Sequence, residues 1–423
     1  SVLKRSGMNT PYITKTKTNK VVIIGGGPAG MMAAIAAADN SDVTVIERNR
    51  KLGMKLNITG KGRCNLTNNC DVRTLTENVP TNPKFLYKAF TAFTPADITD
   101  FFESNGLPLK TERGRRVFPQ SDSAFDVNDT LRRVMAEKGV HIVQGKATEL
   151  IIENGVCKGV VTDRKKTYLA DSTIVATGGA SYPKTGSDGS GYRLCEKAGH
   201  TVMPLSPSLV PLTSSDKCCT ELMGLSLKNV SVSFYRGEKE LYHDFGEMLF
   251  THFGVSGPIV LSASAYVKSF PTRMVIDLKP ALDEKALDSR ILSDFSAEKN
   301  RIFANSLSAL LPRAMIPVIV KRSGIDPQKQ VNAITKDERK RLVQLMHSFE
   351  INLNGTRPLD EAIITCGGVS VKEINPSTMG SKLVSGLYFA GEIIDVDAYT
   401  GGYNLTIAFS TGRLAGKSAS LGE

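Results

Sequence analysis

An α/β fold is predicted by three stretches of this 423-residue chain. Residues 19–49, NKVVIIGGGPAGMMAAIAAADNSDVTVIERN, carry a short apolar run, three glycines, a run of small residues, a second apolar run and an acid. Residues 172–181, STIVATGGAS, and 385–416, SGLYFAGEIIDVDAYTGGYNLTIAFSTGRLAG, hold two further apolar runs that end in glycine. Runs this apolar suit strands buried on both faces, as in a parallel sheet covered by helices.

The first unit is the most specific. Val21 to Ile24 reads as a strand, Gly25, Gly27 and Gly30 form GxGxxG directly after it, and PAGMMAAIAAA reads as a helix able to lie close to a sheet. Val43 to Ile46 is the next strand and ends at Glu47. One glycine makes the turn, another lets the backbone approach a pyrophosphate at the helix N-terminus, and the third lets helix and strand touch. Glu47 is placed to accept from a ribose hydroxyl. The fragment alone suits NAD or FAD. The far end favours FAD: Leu387 to Ala390 runs into Gly391 and Glu392, and a second small-residue helix starts near Tyr403 after Gly401 and Gly402. Two helix N-termini can take the pyrophosphate and the carbonyl edge of a flavin.

Between these ends the pattern changes. Val230, Val232 and Phe234 alternate with polar residues before an Arg236-Gly237 turn, and RMVIDL and INLNG are further short strands. Leu287, Ile291 and Phe295 share a helical face, and Thr335 with Glu338 forms a capping box.

Composition removes several alternatives. No apolar run approaches the roughly 18 residues of a membrane span. Seven scattered cysteines point to a reducing cytoplasm, and five unclustered histidines to no metal site. The formal charge of +11 is partly local: Lys4, Arg5, Lys15, Lys17 and Lys20 lie in the first twenty residues without an acid. Residues 1–19 read as a disordered leader, with SVLKRSG before Met8 resembling a tag remnant. The remaining excess suits a protein that holds anionic phosphates or carboxylates, and nucleic acid is not the expected partner.

Taken in order, GxGxxGxxAA with Glu47, GKGRCNLTN, ATGG, HFGVSGP and GLYFAGEIIDVDAYTGGYNLTIAFSTGR resemble the BaiN/YhiN-type flavoproteins, a bacterial family of FAD-dependent oxidoreductases. The likeness spans residues 20 to 418. It implies a discontinuous Rossmann-like FAD-binding domain at 20–201 and 366–423, a β-barrel substrate domain at 202–282 and 350–365, and a helical domain at 283–349. It also implies either reduction of unsaturated oxo-steroids or oxidation of small amino compounds.

At the cofactor, the expected contacts begin with Pro28 and Ala29 beside the glycines and with Arg48 after Glu47. The stretch KLNITGKGRCNLTNN, residues 55–69, has almost no apolar periodicity and is expected to lie along FAD. The resemblance puts Gly60, Arg63, Cys64 and Asn65 there, and a cation with amide donors suits an anionic ligand. Ala147 and the ATGG residues Thr177, Gly178 and Gly179 follow. The final motif adds Gly391, Glu392, Asp395, Gly402, Tyr403, Asn404 and Leu405. Cys64 and Cys70 would point about 240° apart on a helix, so no redox disulfide is expected between them. Cys218 and Cys219 read as ordinary loop residues.

Catalytic candidates are fewer. His252 in THFGVSGP is a titratable ring among glycines, and Tyr182 with Lys184 in GASYPKTG, or Tyr399 and Tyr403, could line the same pocket. Flavin chemistry needs orientation and charge at the ring more than a triad. The sequence therefore predicts a cytoplasmic FAD-dependent oxidoreductase passing hydride between a small-molecule substrate and flavin N5. NAD(P)H is an open candidate for reductant, since no second GxGxxG is visible. A flavin-binding sensor or nucleic-acid-associated protein without turnover is the alternative.

Overall fold

The computed structural model describes residues 19–423. The expected leader therefore lies outside the described residues except for Asn19, which opens the first strand.

That strand, Asn19–Ile24, is the centre of a five-stranded parallel sheet in the order Leu387–Phe389, Ser172–Val175, Asn19–Ile24, Ser41–Glu47, His141–Gln144. Its residues from Val21 to Ile24 are all buried, which explains the unbroken apolar run. The chain builds outward on one side through His141–Gln144, then returns to place Ser172–Val175 on the other. Strand order reverses between Asn19–Ile24 and Ser172–Val175, so the crevice beyond their carboxyl ends is where such sheets bind ligands. Gly25 and Ala176 stand at that point.

Two helices cover this crevice side. Pro28–Ala37 is buried along nearly its whole length, and the C-terminal helix Tyr403–Leu421 lies against it. A Cβ on Gly412 would stand 2.4 Å from the Ala29 carbonyl oxygen, and one on Gly416 would stand 2.3 Å from that of Ala33. Residues four apart on one helix thus meet residues four apart on the other in the same sense, so the helices run parallel at backbone contact.

A second sheet is antiparallel, in the order Phe349–Leu353, Thr272–Asp277, Ser226–Arg236, Lys239–Thr251, Gly254–Ser256, Leu212–Thr213, Gly355–Thr356. Its two edge strands are neighbours in sequence, separated only by Asn354. The segment 349–356 pairs with Thr272–Asp277 at one end and with Leu212–Thr213 at the other, so the sheet closes on itself. Val230, Val232 and Phe234 point inward as their alternation required. Leu287, Ile291 and Phe295 of the helix Glu284–Ala297 join the same apolar core as Phe234 and Phe349. The helical stretch therefore has no separate core from the closed sheet. The capping box forms as expected, with Thr335 Oγ1 accepting from Glu338 N and Glu338 accepting from Thr335 N.

Two expectations are corrected. Val202–Ser208 does not enter the closed sheet; it pairs with Ile364–Val369 in a two-stranded ribbon between the halves. Cys218 and Cys219 are not loop residues but lie buried on the short helix Lys217–Glu221, where Arg322 Nη2 donates to Cys218 Sγ at 3.1 Å.

The contact between the two parallel helices makes a direct prediction. Gly416→Val forces side-chain atoms into the Ala33 carbonyl and should destabilise the chain by about 1–3 kcal/mol or more. An unchanged urea midpoint in this variant would show that the helices do not meet there.

Candidate cofactor site

The three glycines of the first turn do different work. Gly25 has φ +103°, and a Cβ there would lie 2.4 Å from the Ala176 carbonyl oxygen. A Cβ on Gly30 would lie 1.9 Å from the Gly25 oxygen. Both are demanded by the protein's own backbone. Gly27 is different, because a Cβ there meets nothing within 4 Å. Space is left in front of the helix, and the amides of Ala29 and Gly30 precede the first helical bond, Met31 N to Gly27 O at 2.8 Å. Pro28 occupies the first helical position, where a missing N–H loses no bond. An anion fits in this cradle.

Glu47 is buried at the end of its strand and accepts from Gly26 N at 2.7 Å and Asn49 N at 2.8 Å. A carboxylate has about four lone-pair positions, so two bonds leave it capacity for ribose hydroxyls. Arg48 pairs with Asp188 at 2.5 Å, and Asn49 Nδ2 donates to Thr185 O at 3.0 Å. Ala147 lies close by at the start of Ala147–Glu153, two residues after Gly145, whose N–H donates to Glu47 O.

The stretch 55–69 buries more than its composition suggests: Leu56, Cys64, Leu66, Thr67 and Asn68 are inside. Gly60, Lys61 and Cys64 all have φ near +58°, so the chain winds tightly where no regular helix could form. Burial pushes the Cys64 thiol up to about 12, which keeps it protonated. Arg63 is held by Glu112 and Asp122, each at 2.5 Å, and lies over the Phe118 ring at 4.3 Å. Those hydrogen bonds hold the guanidinium firmly charged. No motif announces these two carboxylates: Glu112 ends one strand of a neighbouring hairpin, and Asp122 follows the other, Arg116–Pro119. Asn65 Oδ1 is buried without a hydrogen-bond partner.

Beside Asn65 stands the second helix N-terminus. Gly402 has φ +96°, and a Cβ on it would lie 2.3 Å from Thr67 O and 2.9 Å from Asn65 Oδ1. Thr67 Oγ1 and Thr406 Oγ1 bond at 2.8 Å, tying the stretch to the helix. The first helical bond is Thr406 N to Gly402 O, so the amides of Tyr403, Asn404 and Leu405 come before it. The Asn404 side chain turns back: Ala398 N donates to its Oδ1 at 2.9 Å, and its Nδ2 donates to Ala398 O at 2.7 Å and Tyr399 O at 3.3 Å. It braces the loop before the helix. Because Gly412 meets Ala29, the N-terminus at Tyr403 overshoots that at Pro28 by eight residues, about 12 Å at 1.5 Å per residue.

Near the first N-terminus, where a Cβ on Gly391 would lie 2.7 Å from that of Ala29, is a network whose partners sequence reading missed. Glu392 accepts from Lys55 Nζ at 2.8 Å, Thr365 N at 2.8 Å and Ser181 Oγ at 3.4 Å. Gly179 must be glycine, since a Cβ would lie 2.4 Å from Thr365 Oγ1, and Gly178 has φ +72°. Thr177 Oγ1 is another buried atom without a partner. Gly391 N donates to Thr411 Oγ1 at 2.9 Å. Asn82 Nδ2 donates to Asp395 through both its carbonyl at 2.7 Å and Oδ2 at 3.0 Å, and burial raises that carboxyl. No motif joined Lys55, Ser181 and Thr365, because each comes from a different segment.

The catalytic candidates are scattered by comparison. His252 is exposed on the turn after Lys239–Thr251, its ring edge-on to Phe253 at 5.0 Å. Tyr182 is half-buried with φ +56°, and Lys184 is exposed beside it.

An open phosphate cradle, a buried ribose acid and a second helix N-terminus fit FAD, and the arrangement is that of an FAD-dependent oxidoreductase. The family model described as HI0933-like protein Rossmann domain matches residues 19–418, and the chain belongs to that family. A 3-dehydro-bile acid delta(4,6)-reductase of Clostridium scindens is 30% identical over 410 residues, 95% of this chain and 99% of that protein. A ribosomal RNA dihydrouridine synthase of Haemophilus influenzae is 33% identical over 397 residues, 92% of this chain and 96% of its own. Among solved structures, E. coli quinol fumarate reductase FrdA covers 96% of this chain and 70% of its own with a TM-score of 0.50 at 16% identity. The 3-ketosteroid delta1-dehydrogenase of Sterolibacterium denitrificans also reaches 0.50, at 12% identity, covering 96% and 100%. These two show the shared fold. No described helix is long and apolar enough to cross a membrane.

The contrast among the glycines is testable. Gly27→Val should abolish FAD binding and leave the FAD-free melting temperature unchanged, because the side chain enters open space. At FAD a hundred times its dissociation constant, the wild type gains about 2.7 kcal/mol that the variant forgoes. Stoichiometric FAD in the purified variant would contradict the cradle.

Proposed function

We propose that this chain passes hydride from reduced FAD to a carbon–carbon double bond conjugated to a carbonyl group. The observation that carries the reading is the free N-terminus of Tyr403–Leu421 overshooting the phosphate cradle by about 12 Å. A flavin laid along that line meets a helix N-terminus, which favours the negative charge that a reduced flavin ring carries. When bound, FAD supplies two-electron hydride chemistry; the protein's part is to orient it and exclude water. The relatives' names support reduction over oxidation of amines, since one is a reductase and the other makes dihydrouridine. NAD(P)H is the proposed reductant. In this reading the closed sheet, with His252 on its turn, and the opposite bank at Tyr182 wall the substrate.

A small oxo-steroid is one substrate class. A second, uridine within RNA, is favoured by a specific feature. Arg113, Arg115 and Arg116 are exposed on a turn whose Gly114 carbonyl shares the Asn68 Nδ2 donor with the Gly401 carbonyl. Three cations thus stand at the mouth of the second helix N-terminus, where a phosphate backbone would pass.

Anaerobic NADPH or NADH should bleach the flavin of the purified protein. The bleached form should regain its colour with a 3-oxo-4,6-diene steroid or with uridine-containing RNA. A flavin that is bleached by small amines, and not reoxidised by either acceptor, would overturn the reading.

A further inference from the structure

Three tyrosines from three separate segments stack where the closed sheet meets the cofactor half. Tyr242 lies on Lys239–Thr251, Tyr266 just after the helix Pro258–Ser264, and Tyr399 in the loop before Tyr403–Leu421. Tyr242 and Tyr266 are 4.7 Å apart with planes at 29°, and Tyr266 and Tyr399 are 4.8 Å apart with planes at 15°. The outer hydroxyl is anchored, Tyr242 donating to Asp244 Oδ2 at 2.9 Å. The inner end is fixed twice: Asn404 grips the Tyr399 carbonyl, and Ser262 Oγ bonds Thr400 Oγ1 at 2.9 Å.

Packing alone does not ask for phenols here, because phenylalanine would stack as well. The hydroxyls need another reason. Two residues before Tyr399, Asp397 is 1% exposed; its Oδ2 accepts from Ser208 Oγ at 2.9 Å, and its buried Oδ1 has no partner. Burial first, then the neighbouring Tyr266 hydroxyl and the charge of Asp397, raise the Tyr399 phenol, so it keeps its proton at neutral pH. Tyr266 is 38% exposed and reaches water. The stack therefore sets Tyr266, which reaches water, against the half-buried Tyr399 phenol, four residues from the second helix N-terminus.

Reduction of a double bond needs this. Hydride reaching one carbon leaves an electron pair on its neighbour, and that carbon must take a proton. Resting on the function proposed above, we propose that Tyr399 gives the proton that completes substrate reduction and that Tyr266 resupplies it from water. The Tyr399 O–H bond breaks, its proton forms the new C–H bond, and the phenolate takes a proton from Tyr266, which takes one from solvent. Electrons come from the reduced flavin alone. Tyr242, held on Asp244, is a positioning residue that keeps Tyr266 in line.

The test uses the holoprotein reduced anaerobically with dithionite and mixed with a 3-oxo-4,6-diene steroid and, separately, with uridine-containing RNA. Tyr399→Phe should keep wild-type FAD content and melting temperature, and its flavin should reoxidise about 10²- to 10⁴-fold more slowly. Tyr266→Phe should be slowed to a lesser degree with the same FAD content. Reoxidation of Tyr399→Phe at the wild-type rate would overturn the proton donor and leave the proposed function standing. Loss of FAD from that variant would make Tyr399 a cofactor-holding residue and overturn it equally. Tyr266→Phe at the wild-type rate would overturn the resupply. If neither acceptor reoxidises the wild type, the proposed function fails, and this proposal with it.

Discussion

Backbone contact between the helices Pro28–Ala37 and Tyr403–Leu421 is the constraint on which the site depends. Gly412 and Gly416 let the second helix rest on the carbonyls of Ala29 and Ala33, which fixes both its direction and its axial position. Parallel packing points both positive helix ends the same way, and the register separates them by about 12 Å. One end faces the open space at Gly27 and the other the unpartnered Asn65 Oδ1. A side chain at either contact glycine would push the helices apart and move the second N-terminus away from the first. The separation of the two N-termini is thus set by the packing of two helices that lie more than 360 residues apart in the chain.

The second half of the molecule is joined to this one through a narrow set of elements. It has its own apolar core around Phe234, Phe250 and Phe349, and its sheet closes because one segment, 349–356, pairs at both ends. The ribbon of Val202–Ser208 and Ile364–Val369 carries the chain between the halves. Along that seam lie Thr365 on Glu392, Ser208 on Asp397, and the tyrosine stack. Polar and aromatic groups therefore collect where the two cores do not meet.

The sequence disclosed those parts whose cause is local. The strand, GxGxxG, helix and acid unit was legible because each residue answers a neighbour within about 27 positions, and the same holds for the Thr335 capping box and the alternation at Val230, Val232 and Phe234. The cradle at Gly27 was readable for that reason. What escaped comes from contacts across the chain. Lys55, Ser181, Thr365 and Glu392 meet from four segments, and no spacing rule connects them. Arg63 was expected beside the cofactor, and the two carboxylates that hold it, Glu112 and Asp122, lie about fifty and sixty residues further along the chain. The Asn404 side chain braces Ala398 and Tyr399 across a loop, which left its backbone amide as the group expected at the cofactor. The tyrosine stack has no signature at all, since its members are 24 and 133 residues apart. Val202–Ser208 fell within the β-barrel range that the resemblance implied, and its pairing with Ile364–Val369, about 160 residues away, has no local sign.

The central claim is that one FAD spans the two helix N-termini. A crystal structure of the protein reconstituted with FAD tests it most directly. The pyrophosphate should lie on the Ala29 and Gly30 amides, the adenosine ribose on Glu47, and the flavin carbonyl edge against the amides of Tyr403 to Leu405. A flavin lying away from that second helix, or a pyrophosphate elsewhere than at Gly27, would contradict it.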